Sequence, residues 1–142
     1  LLMQAVIPKM KEKNFGRIIN ITSAMVKNPH LIMGLSTSAR SGLHGLSKAL
    51  SREVAQYNIT INNVLPERID TDRQTQILNF QAKLADSTYE EAKKELEETL
   101  TAKRMGTVEE FSGICTFLCS EQAAYISGQN ISVDGGNSTN LI

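Results

Sequence analysis

The sequence predicts an α/β protein built on a doubly wound parallel sheet. Three short apolar runs rich in β-branched residues, at 16–23, 59–65 and 130–133, alternate with long helical patterns. The first run is apolar on both faces, as befits a parallel strand covered by helices on either side. No repeat, low-complexity tract or internal domain boundary interrupts this order, so residues 1–142 read as one unit.

Along the chain, residues 1–13 carry apolar side chains at helical spacing. They end in Lys9, Lys11, Glu12 and Lys13 before Gly16, a cationic last turn followed by glycine. Pro8 is expected to disturb this helix locally. The strand at 16–23, with Ile18, Ile19 and Ile21, then runs into a loop through Lys27, Asn28, Pro29 and His30. A long helix from about Ser36 to Gln56 presents Leu43, Leu46, Leu50 and Val54 on one side. The strand at 59–65 stops at Pro66. A polar stretch at about 73–104 follows and reads as a substrate-facing lid segment. Within it Ser87-x-x-Glu90 has the form of a capping box opening a charged helix to about Ala102. An apolar-faced helix at 108–120 and the strand at 130–133 complete the order.

Composition narrows the function. Apolar residues make up 41% and charged residues 21%, and fifteen basic side chains cancel fifteen acidic ones. That balance points away from nucleic-acid and anionic-membrane partners. No apolar run reaches the roughly 20 residues a membrane span requires. Residues 1–10 contain Gln4, Pro8 and Lys9 with no small-residue cleavage site, so a signal peptide is not expected. The two cysteines, Cys115 and Cys119, lie one helical turn apart with parallel Cβ vectors, a poor start for a disulfide. They read as buried free thiols in a reducing cytoplasm, and no metal set is expected.

Ser23 stands at a strand end, the side of an open α/β sheet where ligands bind. A hydroxyl there can donate to a carbonyl oxygen, and the alternative is a turn serine bonding its own backbone. Thirteen residues later comes Ser36-Thr37-Ser38-Ala39-Arg40, with Ser36 and Arg40 on one helix face. Downstream lie Pro66-Glu67-Arg68-Ile69-Asp70-Thr71, the run Arg104-x-Gly106-x-x-x-Glu110, and Ser127-Gly128-x-x-Ile131-x-Val133-Asp134-Gly135-Gly136.

Together these motifs resemble the C-terminal half of a short-chain dehydrogenase/reductase over nearly the whole chain. Members of that family normally carry Tyr-x-x-x-Lys thirteen residues after a catalytic Ser. Here Ser36 holds the Tyr position and Arg40 the Lys position. The resemblance implies a Rossmann-type domain, with the three strands as its fifth, sixth and seventh. It implies Ser23, Ser36 and Arg40 as catalytic positions, and Arg40, Pro66, Ile69 and Thr71 as contacts for NAD or NADP. Pro66, Ile69 and Thr71 match the segment that meets the nicotinamide carboxamide, while Glu67 replaces its Gly. It further implies a small-molecule alcohol or carbonyl substrate, a homodimer or homotetramer, and an interface on the helices at 1–13 and 40–56.

The substitutions alter the expected chemistry. An aliphatic hydroxyl is a far weaker acid than a phenol, and a guanidinium stays protonated and cannot join a proton relay. Two readings follow: an oxidoreductase with a non-standard proton donor, or a catalytically weakened relative serving as a binding or oligomer-forming subunit. His30, in the loop between Ser23 and Ser36, is a substitute acid if it is not simply a surface histidine. His44 reads as an exposed helical histidine. A second Tyr89-x-x-x-Lys93 reads as a chance match on the solvated lid helix. The family's Gly-rich phosphate turn, its NAD/NADP-selecting residue and its catalytic Asn have no counterpart here. The chain alone is therefore expected to bind cofactor weakly and to be inactive. The strand at 16–23, lacking a neighbour on one side, is expected to favour association.

Overall fold

The computed structural model describes residues 2–141. Its centre is a three-stranded parallel sheet formed by β1 (Gly16–Ile21), β2 (Ile59–Pro66) and β3 (Asn130–Val133), in that order. Gly16 pairs with Ile59 and Ile21 with Val64, while Asn63 pairs with Asn130 and Pro66 with Val133. The strand at 16–23 thus ends two residues earlier than its sequence suggests. Thr22 nevertheless extends the ladder by donating its N–H to the Val64 carbonyl at 2.9 Å.

Helices cover both faces, as a doubly wound sheet requires. On one side lie α1 (Leu2–Lys13) and α2 (Gly34–Val54). Met3 and Ile7 of α1 and Val54 of α2 form one core cluster with Ile59 and Ile61, against which Ile18, Leu43 and Leu50 pack. On the other side lies α5 (Val108–Cys119), whose Leu118 packs with Val64 and Ala123, flanked by Ile19, Phe111 and Ile131. Alternation along β1 and β2 sends neighbouring side chains into these two clusters. Pro8 is carried within α1 without ending it, on the exposed side opposite Met3 and Ile7. Leu1, the expected first residue of this helix, lies outside the described residues.

The segment after β2 departs most from expectation. Its first part is a helix, α3 (Asp72–Leu84), and α4 (Tyr89–Thr99) follows, ending before Ala102. Sequence periodicity misses α3 because its buried face is Gln74, Leu78 and Ala82, while the apolar Phe80 and Leu84 lie on the solvent side and blur the pattern. The capping box also moves by one residue, to Thr88 and Glu91: Glu91 Oε2 accepts from the Thr88 N–H at 2.8 Å, and Glu91 N–H donates back to Thr88 Oγ1 at 3.2 Å. Ser87 instead closes α3 by donating its N–H to the Ala82 carbonyl. The two helices hold their own small core of Leu78, Leu100 and Met105, with Tyr89, Ala92 and Leu96 against it.

The neck of this excursion is tied. Asp70 N–H donates to the Gly106 carbonyl at 2.8 Å, and Gly106 N–H to the Arg68 carbonyl at 3.0 Å. Lys93 reaches Asp70 at 3.5 Å. The second Tyr-x-x-x-Lys therefore serves packing and pinning: Tyr89 lies in the small core and Lys93 holds the neck.

A polar ladder crosses the sheet in register. Asn20 Nδ2 donates to Asn63 Oδ1 at 3.0 Å, and Asn63 Nδ2 to Asn130 Oδ1 at 2.7 Å. Asn20 also reaches Ser47 Oγ of α2 at 3.0 Å. The buried Asn63 amide is thus paired on both sides, and the pairing supports the register of all three strands. Gly128, before β3, has φ +70° and donates to the Ile61 carbonyl; a Cβ there would lie 2.6 Å from Ser51 Oγ. Only glycine fits so close to α2 in that conformation.

The cysteines are less buried than expected. Cys115 is half-buried beside Leu118 and Ala123, and Cys119 is exposed, because α5 turns only its Leu118 face fully inward. Burial pushes the Cys115 thiol above its ordinary pKa, and the neighbouring Cys119 adds to the effect.

Candidate active site

Two loops leave the C-terminal ends of β1 and β2, where open α/β sheets bind ligands. In the first, Ser23 caps a 3-10 turn at Ala24–Val26, its Oγ accepting from the Met25 N–H at 3.2 Å. The turn role leaves the Ser23 hydroxyl proton free to donate elsewhere, so capping and carbonyl binding are compatible.

Ser36 and Arg40 share a face in the first turns of α2, as their spacing requires. The Arg40 guanidinium donates to both the Ser36 carbonyl, at 3.2 Å, and the Ser36 hydroxyl. The two substituted positions thus satisfy each other. Neither the cavity at the neck of the 73–104 segment nor the one at the strand ends is lined by Ser23, Ser36 or Arg40. His30 lies exposed at the start of a second 3-10 turn, Leu31–Met33, and makes no side-chain cap there.

His44 corrects the sequence reading. It is 7% exposed, and its Nε2 shares a 2.8 Å hydrogen bond with Thr22 Oγ1, the residue before Ser23. Its Nδ1 is buried without a partner. Burial, reinforced by the charge of Lys27, holds the imidazole below its ordinary pKa, so it stays neutral near pH 7. The available signal was spacing: His44 follows Arg40 by one turn, on the face that α2 turns toward the strand end.

The second loop is built differently. Pro66, Ile69 and Thr71 line one cavity of about 350 Å3 together with Ile21, Arg68, Val108 and Phe111. Thr71 caps α3, its Oγ1 accepting from Gln74 N–H at 3.4 Å, which leaves its own proton available to a ligand. Gln74 Nε2 is buried in that first turn without a partner.

Glu67 does not take the glycine-like backbone its position suggests. The left-handed residue is Arg68, at φ +53°, one position later. Glu67 instead fastens the loop: Asn137 Nδ2 donates to its Oε1 at 2.8 Å, and its N–H donates to the Val133 carbonyl. Past β3, Asn140 Nδ2 reaches the Lys27 carbonyl at 3.0 Å and Asn28 Oδ1 at 2.7 Å. The segment after β3 therefore joins the two loops.

Behind the second loop, Arg104 grips Glu110 through two bonds of 2.8 and 2.6 Å, and Glu110 also closes a capping box with Thr107. These donors hold the Glu110 carboxyl down at about 2. The Arg-x-Gly-x-x-x-Glu motif is thus the start of α5 written in sequence.

The comparisons with known proteins agree with this fold. The family model described as enoyl-(acyl carrier protein) reductase matches residues 1–138. The chain belongs to the short-chain dehydrogenase/reductase family. Among curated relatives, the NADPH-dependent reductase BacG of Bacillus subtilis is 38% identical over 128 residues, covering 90% of this chain and 49% of BacG. The 3-oxoacyl-[acyl-carrier-protein] reductase FabG of Aquifex aeolicus is 35% identical over 136 residues, covering 96% and 50%. The crystal structure of YwfH, an NADPH-dependent reductase involved in bacilysin biosynthesis, superposes with a TM-score of 0.90 at 34% identity, covering 98% of this chain and 53% of YwfH. The L-sorbose reductase of Gluconobacter frateurii, solved with NADPH and L-sorbose, gives 0.90 at 27%, covering 99% and 54%. The chain spans about half the length of the curated relatives it matches. No helix among the described residues is long and apolar enough to cross a membrane.

Proposed function

We propose that this chain forms the nicotinamide- and substrate-facing part of an NAD(P)-dependent oxidoreductase acting on a small alcohol or carbonyl compound. The observation that carries the reading is the gathering of Pro66, Ile69 and Thr71 in one cavity beside the ends of β1 and β2. The relatives' printed activities support it: BacG and YwfH are described as NADPH-dependent reductases, and FabG as a 3-oxoacyl reductase. The cavity also fits a nicotinamide on its own terms. Its walls are mostly apolar, suiting a flat ring, and the free Thr71 proton suits a carboxamide oxygen.

When bound, a nicotinamide would supply the hydride. Pro66 and Ile69 would shield its ring from water and Thr71 would orient its amide. Ser23 donates its hydroxyl proton as a hydrogen bond to the substrate oxygen, polarising the carbonyl. Arg40 keeps a positive charge beside Ser36, which favours negative charge developing nearby but transfers no proton. Ser36 is too weak an acid to replace a phenol, so the proton donor is non-standard; His30 is the candidate on the adjoining loop. The lid helices α3 and α4 close over the substrate from the tied neck at Asp70 and Gly106. Exposed Val6 on α1 and Leu35 and Leu46 on α2 favour a homo-oligomer through those helices.

The arrangement of Ser36 and Arg40 favours a second reading, in which the protein is a catalytically weakened binding or oligomer-forming subunit. One assay on the polypeptide that carries this segment separates them: cofactor oxidation across a carbonyl panel. Wild-type turnover that Ser23→Ala or His30→Ala abolishes supports the oxidoreductase reading. Turnover found only in Ser36→Tyr/Arg40→Lys supports the second.

A further inference from the structure

Arg68 stands on the partition between two cavities, the one of about 350 Å3 at the strand ends and another of about 220 Å3 beneath the lid neck. The charges on these walls are unevenly matched. Arg104 and Glu110 neutralise each other. Glu67 accepts from Asn137, and Asp134 accepts from the N–H groups of Gly136 and Ser138 at 3.0 and 3.2 Å. The Arg68 guanidinium has no hydrogen bond or ion pair among the described residues, although it is half-buried. On the larger cavity it is the sole charged residue; the other walls are five apolar side chains and the Thr71 hydroxyl.

We propose that Arg68 recognises an anionic oxygen group, carboxylate or phosphate, on the ligand of the larger cavity. Arg68 lines both cavities, whereas Glu67, Glu110 and Asp134 line only the smaller one, so the larger cavity offers Arg68 no carboxylate among its lining residues. A guanidinium on a half-buried residue beside apolar walls is a site that a planar carboxylate or phosphate matches through its donor fork. The backbone fixes where that fork starts. The Arg68 carbonyl accepts from Gly106 N–H at 3.0 Å, Asp70 N–H returns a bond at 2.8 Å, and the left-handed φ of +53° sets the direction of the side chain. The ligand is thus an anion with an apolar or flat body.

This proposal rests on the nicotinamide reading of the same cavity, and the anion has two sources: the nucleotide phosphate or a carboxylate on the substrate. Titrations of the 15N-labelled chain, read at the amides of residues 67–71, separate them with two matched pairs of probes. One pair is nicotinamide mononucleotide against nicotinamide riboside; the other is acetoacetate against ethyl acetoacetate. The anionic member of at least one pair should bind about ten-fold tighter than its partner without the anionic group, as a charge-assisted bond predicts. Arg68→Gln should reduce that preference to within about two-fold, and Arg68→Lys should retain part of it. The amide spectrum confirms that each variant is folded. The pair that responds identifies the source. A preference unchanged in Arg68→Gln, or absent from the wild type, overturns the proposal. Riboside shifts at 67–71 without any anion preference would sink Arg68 alone. Riboside shifts absent from these residues would instead count against the nicotinamide reading, leaving Arg68 to be judged by the acetoacetate pair.

Discussion

The loops after β1 and β2 emerge at the same end of the sheet, yet their side chains are committed differently. After β1, the polar groups are turned on one another: Ser23 on its own turn, Arg40 on Ser36, His44 on Thr22. After β2, Pro66, Arg68, Ile69 and Thr71 line a cavity, and the Arg68 side chain has no hydrogen bond or ion pair among the described residues. One loop pairs polar groups within itself and with α2; the other lines a cavity. Recognition and catalysis are therefore separable here, because they rest on different strands.

Substitutions should reveal that separation. The largest effect is expected from Ser23→Ala, which should lower turnover of the active polypeptide about 100-fold while leaving cofactor affinity unchanged. Parallel losses in both would merge the two loops into one function. Asn63→Ala comes next. It breaks the ladder shared by both strand ends and should cost about 2 kcal/mol in chemical denaturation. A neutral result would mean that the strands hold register without it.

His44→Leu should cost about 1 to 2 kcal/mol by stranding the buried Thr22 hydroxyl, and Thr22→Val/His44→Leu should recover most of it. The histidine also has a pH signature. Its folded pKa lies below the ordinary 6.5 of an imidazole, so the unfolded chain binds the proton more readily. Stability from neutral His44 is complete above about pH 6.5 and falls as the pH drops from there through the folded value. The double variant should lack this acid limb. Thr71→Val should cost about 1 kcal/mol by removing the α3 cap and should weaken cofactor binding, whereas Ser36→Ala should leave that affinity unchanged. The smallest effect is expected from Glu110→Gln. The native carboxyl is held at about 2 by Arg104 and the Thr107 N–H, against the ordinary 4.5, so its contribution is present above pH 4.5 and fades toward pH 2. Melting temperatures of wild type and variant should converge across that interval.

Much of this was legible in the sequence, for definite reasons. The strands were visible because Ile18, Ile19, Ile59 and Ile61 are apolar, β-branched and bounded by turns. The second loop drew notice through resemblance alone: Pro66, Ile69 and Thr71 match a family segment, and the three line one cavity. What escaped depended on contacts at long range. His44 reads as a surface residue until Thr22, twenty-two positions earlier, is placed beside it. Adjacent Ser87 and Thr88, each three residues before a Glu, offer two equivalent capping boxes, and only the end of α3 decides between them. Arg68 looked unremarkable because its importance is the absence of a partner, and a sequence lists partners no better than it lists gaps.

The central claim is that the loop after β2 holds the nicotinamide ring. Nuclear Overhauser contacts between the ring protons of millimolar NADH and methyl-labelled isoleucine and threonine test it directly. The account predicts contacts to the methyl groups of Ile69 and Thr71, with Thr37 on α2 silent. Contacts confined to Thr37, or ring protons that touch neither Ile69 nor Thr71 in a saturated complex, would contradict it.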